Sequence, residues 1–90
     1  MATKIASGSN LAPGATHVWW WNNYVFGKVY AFAAQPLSAG YHVGETQTQV
    51  VSVKYVTTPQ RDAPSTGHIE IVLSNPGTTP TSYELYMTLG

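Results

Sequence analysis

The chain has 90 residues and a mass of 9.7 kDa, enough for a single domain over residues 1–90 and no second core. It has no cysteine, and its four basic residues are matched by four acidic ones. This composition excludes a disulfide scaffold and a surface that binds nucleic acid by counterion release, so we expect no nucleic-acid partner. Charged residues make up 9% of the chain where about 25% is usual, and so uncharged a surface leads us to expect a homo-oligomer.

The N-terminal segment and the apolar runs of the sequence indicate whether a signal peptide or a membrane-spanning helix is expected. The N-terminal segment 1–15 contains Lys4 but no apolar run typical of a secretory leader, so we expect no signal peptide. No stretch approaches the ~20 apolar residues that a membrane-spanning helix needs. We therefore expect no membrane span, while the compartment stays open.

Turn-forming residues punctuate the beginning of the chain. The segment 7–10 (Ser-Gly-Ser-Asn) predicts a turn within a flexible leader, and Pro13-Gly14 predicts a second turn. The run from Ala15 to Trp21 follows and is rich in residues that favour strands. The first predicted strand is therefore 15–21.

A tryptophan-rich hairpin is the next predicted element. Asn22 and Asn23 tolerate the left-handed conformation and predict a two-residue turn into a second strand over 24–34. A turn at Gly27-Lys28 is the alternative. With the first turn, one side of the hairpin carries His17, Trp19, Trp21, Tyr24, Phe26, Lys28, Tyr30 and Phe32, and the other carries Val18, Trp20, Val25, Gly27, Val29, Ala31 and Ala33.

The three consecutive tryptophans carry the main inference. Successive strand residues point to opposite faces, and a two-layer domain of this size buries only one face of each sheet. At least one ring among Trp19, Trp20 and Trp21 is therefore expected to point away from the core, unless a β-bulge turns two neighbours to the same side. An exposed indole flanked by further aromatics predicts a surface that another molecule covers.

The middle of the chain predicts a strand with two environments. Residues 45–58 alternate with period two, but the first half is polar on both faces, whereas Val50 to Val56 is apolar enough to enter a core. The following segment 58–67 contains two prolines and an adjacent Arg-Asp pair. It predicts an exposed loop.

The C-terminal region predicts two more strands. Along residues 68–74, the apolar residues Ile69, Ile71 and Leu73 alternate with a more polar series. Residues 82–89 show the same alternation. The Pro- and Gly-containing segment 75–81 between them predicts a hairpin loop. With five or six short strands and no helix signal, the predicted fold is all-β: a small antiparallel β-sandwich, with a small open β-barrel as the alternative.

Catalysis and metal binding are weakly indicated. No Gly-x-Ser-x-Gly elbow accompanies the many hydroxyl residues, and no His-x-His or His-x-x-x-His pair is present. We therefore expect no enzyme, no metal site and no cofactor. The four acidic residues lie far from one another in the sequence (Glu45, Asp62, Glu70 and Glu84), and so do the three histidines (His17, His42 and His68).

The aromatic run predicts a carbohydrate-binding, lectin-like module that self-associates through an aromatic sheet face. A sugar ring stacks its apolar C–H face on an indole or phenol, and amide and carboxylate groups at the rim bind its hydroxyls. The alternative is a structural or adhesive homo-oligomeric block with no small ligand, and contact with lipid headgroups is a weaker third use because no basic flank is present. The candidate binding residues are Trp19, Trp20, Trp21, Asn22, Asn23, Tyr24, Gln47, Gln49 and Asp62.

Overall fold

The computed structural model describes residues 2–37, 46–62 and 66–90, and every regular element within these ranges is a β-strand. None of the described segments forms a helix that could cross a membrane. The predicted strand start at Glu45, and His42, lie outside the described residues. The six strands are β1 (Thr3–Leu11), β2 (Thr16–Asn22), β3 (Tyr30–Pro36), β4 (Gln49–Thr58), β5 (Thr66–Ser74) and β6 (Thr81–Leu89).

The strands form two antiparallel sheets of three strands each. Sheet A has the order β1-β6-β3, and sheet B has the order β2-β5-β4. The two sheets do not close on each other, so the prediction of a small all-β antiparallel sandwich is confirmed and the barrel alternative is wrong. The body is flat, 55 × 26 × 15 Å, with a radius of gyration of 15.3 Å. A compact chain of this length has about 12 Å, so the fold is unusually thin and extended.

The core lies between the two central strands, β5 and β6. Every second residue of each strand points inward, as the alternation in the sequence predicted. The apolar series of β5 and β6 therefore face each other across the sandwich. The buried apolar side chains are Leu11, Tyr30, Ile69, Ile71, Leu73, Tyr83 and Leu85.

Most connections pass from one sheet to the other. Both predicted hairpins are wrong, because β2 and β3 lie in different sheets, and so do β5 and β6. The segments 23–29 and 75–80 are arches between sheets, and among the six described strands only β4 and β5 are neighbours in both the sequence and a sheet. The physical reason is burial: two strands with large inward-facing side chains cover each other better from opposite sheets than side by side in one sheet.

Asn75 holds the arch between β5 and β6. Its side chain is fully buried, and its amide nitrogen donates to the carbonyl oxygens of Leu11 (2.9 Å) and Thr79 (2.8 Å). Its amide oxygen accepts the backbone N–H of Gly77 at 2.9 Å. The main chain of Asn75 also accepts the N–H of Gly14 at 2.8 Å. This one residue ties together two inter-sheet connections that are far apart in the sequence.

The predicted leader at 7–10 is instead part of a strand. β1 runs through it, and its pairing with β6 shifts register between Gly8 and Leu11, where Asn10 has a φ of 56°. The turn-forming residues thus mark a bulge rather than a turn. Gly8 is required for packing, because a Cβ there would overlap the ring of Tyr83.

A tyrosine joins the two sheets on each side of the sandwich. Tyr83 of β6 reaches over Gly8, and its hydroxyl accepts the indole N–H of Trp19 on β2 at 2.7 Å. On the opposite side, the Tyr55 hydroxyl of β4 accepts the N–H of Tyr30 at 2.9 Å and donates to its carbonyl at 3.1 Å. Each phenol thus connects a strand of one sheet to an edge strand of the other.

The burial of β4 differs from the prediction. Val50 is half-buried, but Val51, Val53 and Tyr55 are exposed, so the apolar half of the strand only borders the core. A register shift between Val50 and Ser52 interrupts the alternation. The period-two pattern identified the strand, but it could not reveal that β4 is an edge strand with a bulge.

Candidate functional site

The tryptophan run of β2 divides between the two faces of sheet B. The strand follows an unbroken register with β5, without a bulge, so the residues alternate strictly. Trp19 and Trp21 point inward and are half-buried, whereas Trp20 points outward with 60% of its surface exposed. The expectation that at least one indole leaves the core is confirmed.

Trp19 and Trp21 have structural roles. The Trp19 indole donates to the Tyr83 hydroxyl, and His17 Nδ1 lies 2.8 Å from the same oxygen. Burial, the larger effect, raises the pKa of Tyr83 despite the indole hydrogen bond. Trp21 packs against Tyr30 with ring centroids 6.4 Å apart. These two indoles therefore belong to the inner layer and do not form a surface with Trp20.

On the outer face of sheet B, Trp20 has polar and charged neighbours in its own row and in one adjacent row, and valines in the other adjacent row. In the pairing of the three strands, Trp20 lies beside Glu70 of β5, and Glu70 lies beside Lys54 of β4. The adjacent row contains Asn22 and His68. An exposed indole thus sits at one end of a row that also holds a carboxylate and an ammonium group, and an amide and an imidazole are one step away.

Glu70 is the electrostatic centre of this face. Its carboxylate forms an ion pair with Lys54 at 2.9 Å and lies 3.4 Å from His68 Nε2. Hydrogen bonds from Lys54 first, and then from His68, hold the pKa of Glu70 below its ordinary value, and the nearby side chain of Trp20 lowers it least. The ion pair with Lys54 therefore holds the carboxylate beside Trp20 before any ligand binds.

The outer face of sheet A lacks such a ring. It carries the ion pair of Lys4 with Glu84 (2.9 Å), and the hydroxyl of Tyr86 donates to Glu84 at 3.2 Å. In the part of the chain that the structure describes, Leu37 at the end of β3 is exposed on this side, but no aromatic ring of this face is exposed. The two outer faces therefore differ, and only that of sheet B combines a stacking surface with several hydrogen-bonding groups.

The other predicted binding residues are dispersed. Asn23 has a φ of 59°, as an asparagine turn residue can, and its N–H donates to Gly67 of β5 at 2.8 Å. Gln49 faces outward two rows from Trp20, next to Ser74. Gln47 is half-buried before β4, and Asp62 is exposed in the loop after it. Of the predicted polar residues, only Asn22 lies near Trp20.

Tyr24 covers one end of the core. Its ring packs edge-on against Phe26 and Tyr55, with centroids 5.2 and 5.1 Å apart, and its hydroxyl lies 2.7 Å from Thr57 Oγ1. A Cβ at Gly67 would overlap this ring. Tyr24 is therefore a packing residue on the inner side of sheet B and is separated from the outward-facing Trp20.

Sequence reasoning did not include Lys54, His68 and Glu70 in the site. The period-two pattern of β5 had assigned His68 and Glu70 to the wetter face, so the local signal was present. What was missing was the strand order, because nothing local places β5 between β2 and β4. His17 and His68 form no shared site, since His17 points inward and His68 outward. Within the described ranges, no group of side chains is suited to hold a metal ion.

Comparison of the chain with protein-family models, curated proteins and solved structures finds no match.

Proposed function

We propose that the outer face of sheet B binds carbohydrate without chemically changing it, with Trp20 as the stacking surface. The observation that carries the proposal is the exposed indole of Trp20 next to an anchored carboxylate on a regular strand. A sugar laid on the ring exposes its hydroxyls toward β5 and the end of β2. In this proposal they are bound by Asn22 and Glu70, which lie beside Trp20 on the same face.

The expected affinity of one such face is low. Removing about 60 Å² of apolar C–H surface from water at ~25 cal/mol per Å² yields about 1.5 kcal/mol, a factor of about ten in binding. Hydrogen bonds exchanged with water add little. A module of this kind therefore gains useful affinity by presenting several copies of the site, which is why self-association forms part of the proposal.

A glycan array with the wild-type chain and two matched variants tests the proposal. We expect retention on at least one glycan class and a loss of about tenfold or more in Trp20→Ala. Phe26→Ala is the control, because this ring is similarly exposed (54%) but lies in the arch between β2 and β3. Circular dichroism establishes that both variants remain folded. Absence of retention on every glycan, or Trp20→Ala binding as well as the wild type, would refute carbohydrate binding at this face.

The second candidate function is a structural assembly block with no small ligand. The observation that favours it is the arch between β2 and β3, where Val25, Phe26 and Val29 are each more than half exposed. An apolar connection of this kind is typical of a protein contact. If the array is silent and the chain is oligomeric, and Phe26→Ala rather than Trp20→Ala lowers the mass, the assembly function is supported instead.

A further inference from the structure

The free edge of β2 has four residues whose backbone groups point away from the sheet. The N–H of Asn23 donates to Gly67, and the N–H of Asn75 donates to Ala15 at 3.4 Å, so the odd-numbered residues of this segment bond to β5. In an antiparallel ladder the bonding direction alternates residue by residue. The backbone donors and acceptors of the even-numbered residues therefore face outward along the edge: Thr16, Val18, Trp20 and Asn22.

The edge formed by β3 is blocked. The same alternation applies there, since Leu37 donates to Ser82 of β6 at 2.8 Å, so the even-numbered residues face outward. Tyr55 already occupies both backbone groups of Tyr30, and the Thr48 hydroxyl donates to the carbonyl of Ala34 at 3.1 Å. Pro36 has no N–H. These contacts leave little of the edge for another strand.

The edges of β1 and β4 are irregular and charged. β1 shifts register twice against β6 and carries Lys4, and β4 shifts register once against β5 and carries Lys54. Bulges and lysines on edge strands are devices that oppose strand addition. In the part of the chain that the structure describes, β2 differs from the other three edge strands: it is regular, and it contains no lysine, no proline and no side chain capping its outward groups.

We propose that the free edge of β2 pairs with β2 of a second copy of this chain, antiparallel and about a two-fold axis. The other three edges are protected against strand addition, so the β2 edge is the one at which a strand can be added. An edge rich in tryptophan and valine that stayed open would lead to aggregation, and we therefore expect another strand to cover it. A second copy is the favoured occupant because an isologous contact uses one edge on each subunit and closes, leaving only protected edges outside. Two sheets B then form one continuous sheet of six strands.

The outward groups select the register. Pairing Thr16 with Asn22 and Val18 with Trp20 of the second copy uses all four outward-facing residues on each strand, whereas a shift by two residues in either direction leaves one of them unpaired. Each of the four pairs exchanges two hydrogen bonds, about eight in all. The two-fold axis then passes between the Trp19 residues of the two copies.

This arrangement brings the two stacking rings together. With Trp20 beside Val18 of the second copy, the two Trp20 residues are diagonal neighbours on one outer face, about 7–8 Å apart. The pairing thus deepens the proposed function by locating its self-association and by placing two stacking sites on one surface. The pairing itself rests on the backbone groups of the edge and does not require that a sugar binds.

Light scattering and two variants of one residue test the pairing. At micromolar concentration we expect the mass of two 9.7 kDa chains. Val18→Pro removes an outward N–H that makes no bond to β5, and proline is tolerated at such edge positions, so this variant is expected to be a folded monomer. Val18→Thr keeps the N–H and the branched side chain and is expected to remain a dimer. A monomeric wild type, or a folded Val18→Pro that stays dimeric, overturns the proposal.

A label distance decides the case even if Val18→Pro does not fold. The chain has no cysteine, so Thr16→Cys accepts a single spin label. In the proposed register the two labelled positions are six residues apart along the paired strands, about 20 Å. Electron spin resonance in the dimer is expected to give that separation, and a distance beyond about 35 Å refutes the β2 contact. A dimer with this distance that binds no glycan removes the proposed function and keeps the pairing, whereas a monomer retained on glycans does the opposite.

Discussion

Asn75 offers the sharpest test of how the sheets are held together. Asn75→Ala removes two donated hydrogen bonds and one accepted hydrogen bond, each with a net contribution of about 1 kcal/mol. The carbonyl of Leu11, a fully buried residue, also loses a partner, which adds about 1 kcal/mol or more. The expected loss in the free energy of unfolding is therefore about 4 kcal/mol or more, compared with about 5–13 kcal/mol in total for a domain of this length.

Urea denaturation at one fixed protein concentration measures this loss, followed both by circular dichroism and by tryptophan fluorescence. With a slope of about 1–1.5 kcal/mol per M, the midpoint is expected to fall by about 2 M or more. Asn22→Ala is the matched control, because Asn22 is exposed on the edge strand β2, and its change is expected to stay within about 0.5 kcal/mol. A loss below about 1 kcal/mol in Asn75→Ala would show that the buried amide does not hold the arches.

Two further predictions concern hydrogen bonds on either face of sheet B. Tyr83→Phe leaves the indole N–H of Trp19 without its acceptor, so it is expected to lower the free energy of unfolding by about 1–3 kcal/mol and to change tryptophan fluorescence. Tyr86→Phe serves as the control, because it loses only a hydrogen bond to Glu84. Equal losses of stability in the two variants would contradict the role of Tyr83. Lys54 first, and then His68, lowers the pKa of Glu70 in the folded protein. The ionised Glu70 side chain therefore stabilises the fold at any pH above the ordinary pKa of 4.5, and this stabilisation is lost as the pH falls through the lower pKa of the folded state. Wild type is therefore expected to melt above Glu70→Gln at neutral pH, and the two melting temperatures should converge in acid. A difference that stays unchanged from neutral pH into strong acid would contradict this ion-pair role.

The local part of the structure was accessible from the sequence. The alternation of Ile69, Ile71 and Leu73 correctly identified the inward series of β5, and strict parity separated Trp20 from its two neighbours. Both inferences depend only on the backbone geometry of an extended chain, in which side chains alternate wherever no bulge intervenes. Where a bulge does intervene, at Asn10 and Val51, the sequence interpretation failed or lost its phase.

The connections show why the remainder was inaccessible. A short segment such as 23–29 or 75–80 can return a strand to its own sheet or carry it to the opposite one, and its turn residues are compatible with both. The choice depends on which apolar rows cover each other and on contacts such as that of Asn75 with Leu11, which are 64 residues apart in the chain. The candidate site was affected in the same way: Glu70 and Lys54 join Trp20 only because β5 lies between β2 and β4.

The amino-acid sequence alone was sufficient to establish an all-β chain, the approximate strands and an outward-facing indole within the tryptophan run, because these follow from composition and from alternation between neighbouring residues. The tertiary structure decided the strand order, the arches between sheets and the partners of Trp20, and it left β2 as the one regular, uncapped edge among the described strands. These properties arise from contacts between segments distant in sequence, and the free energy of such contacts depends on which surfaces the whole fold removes from water.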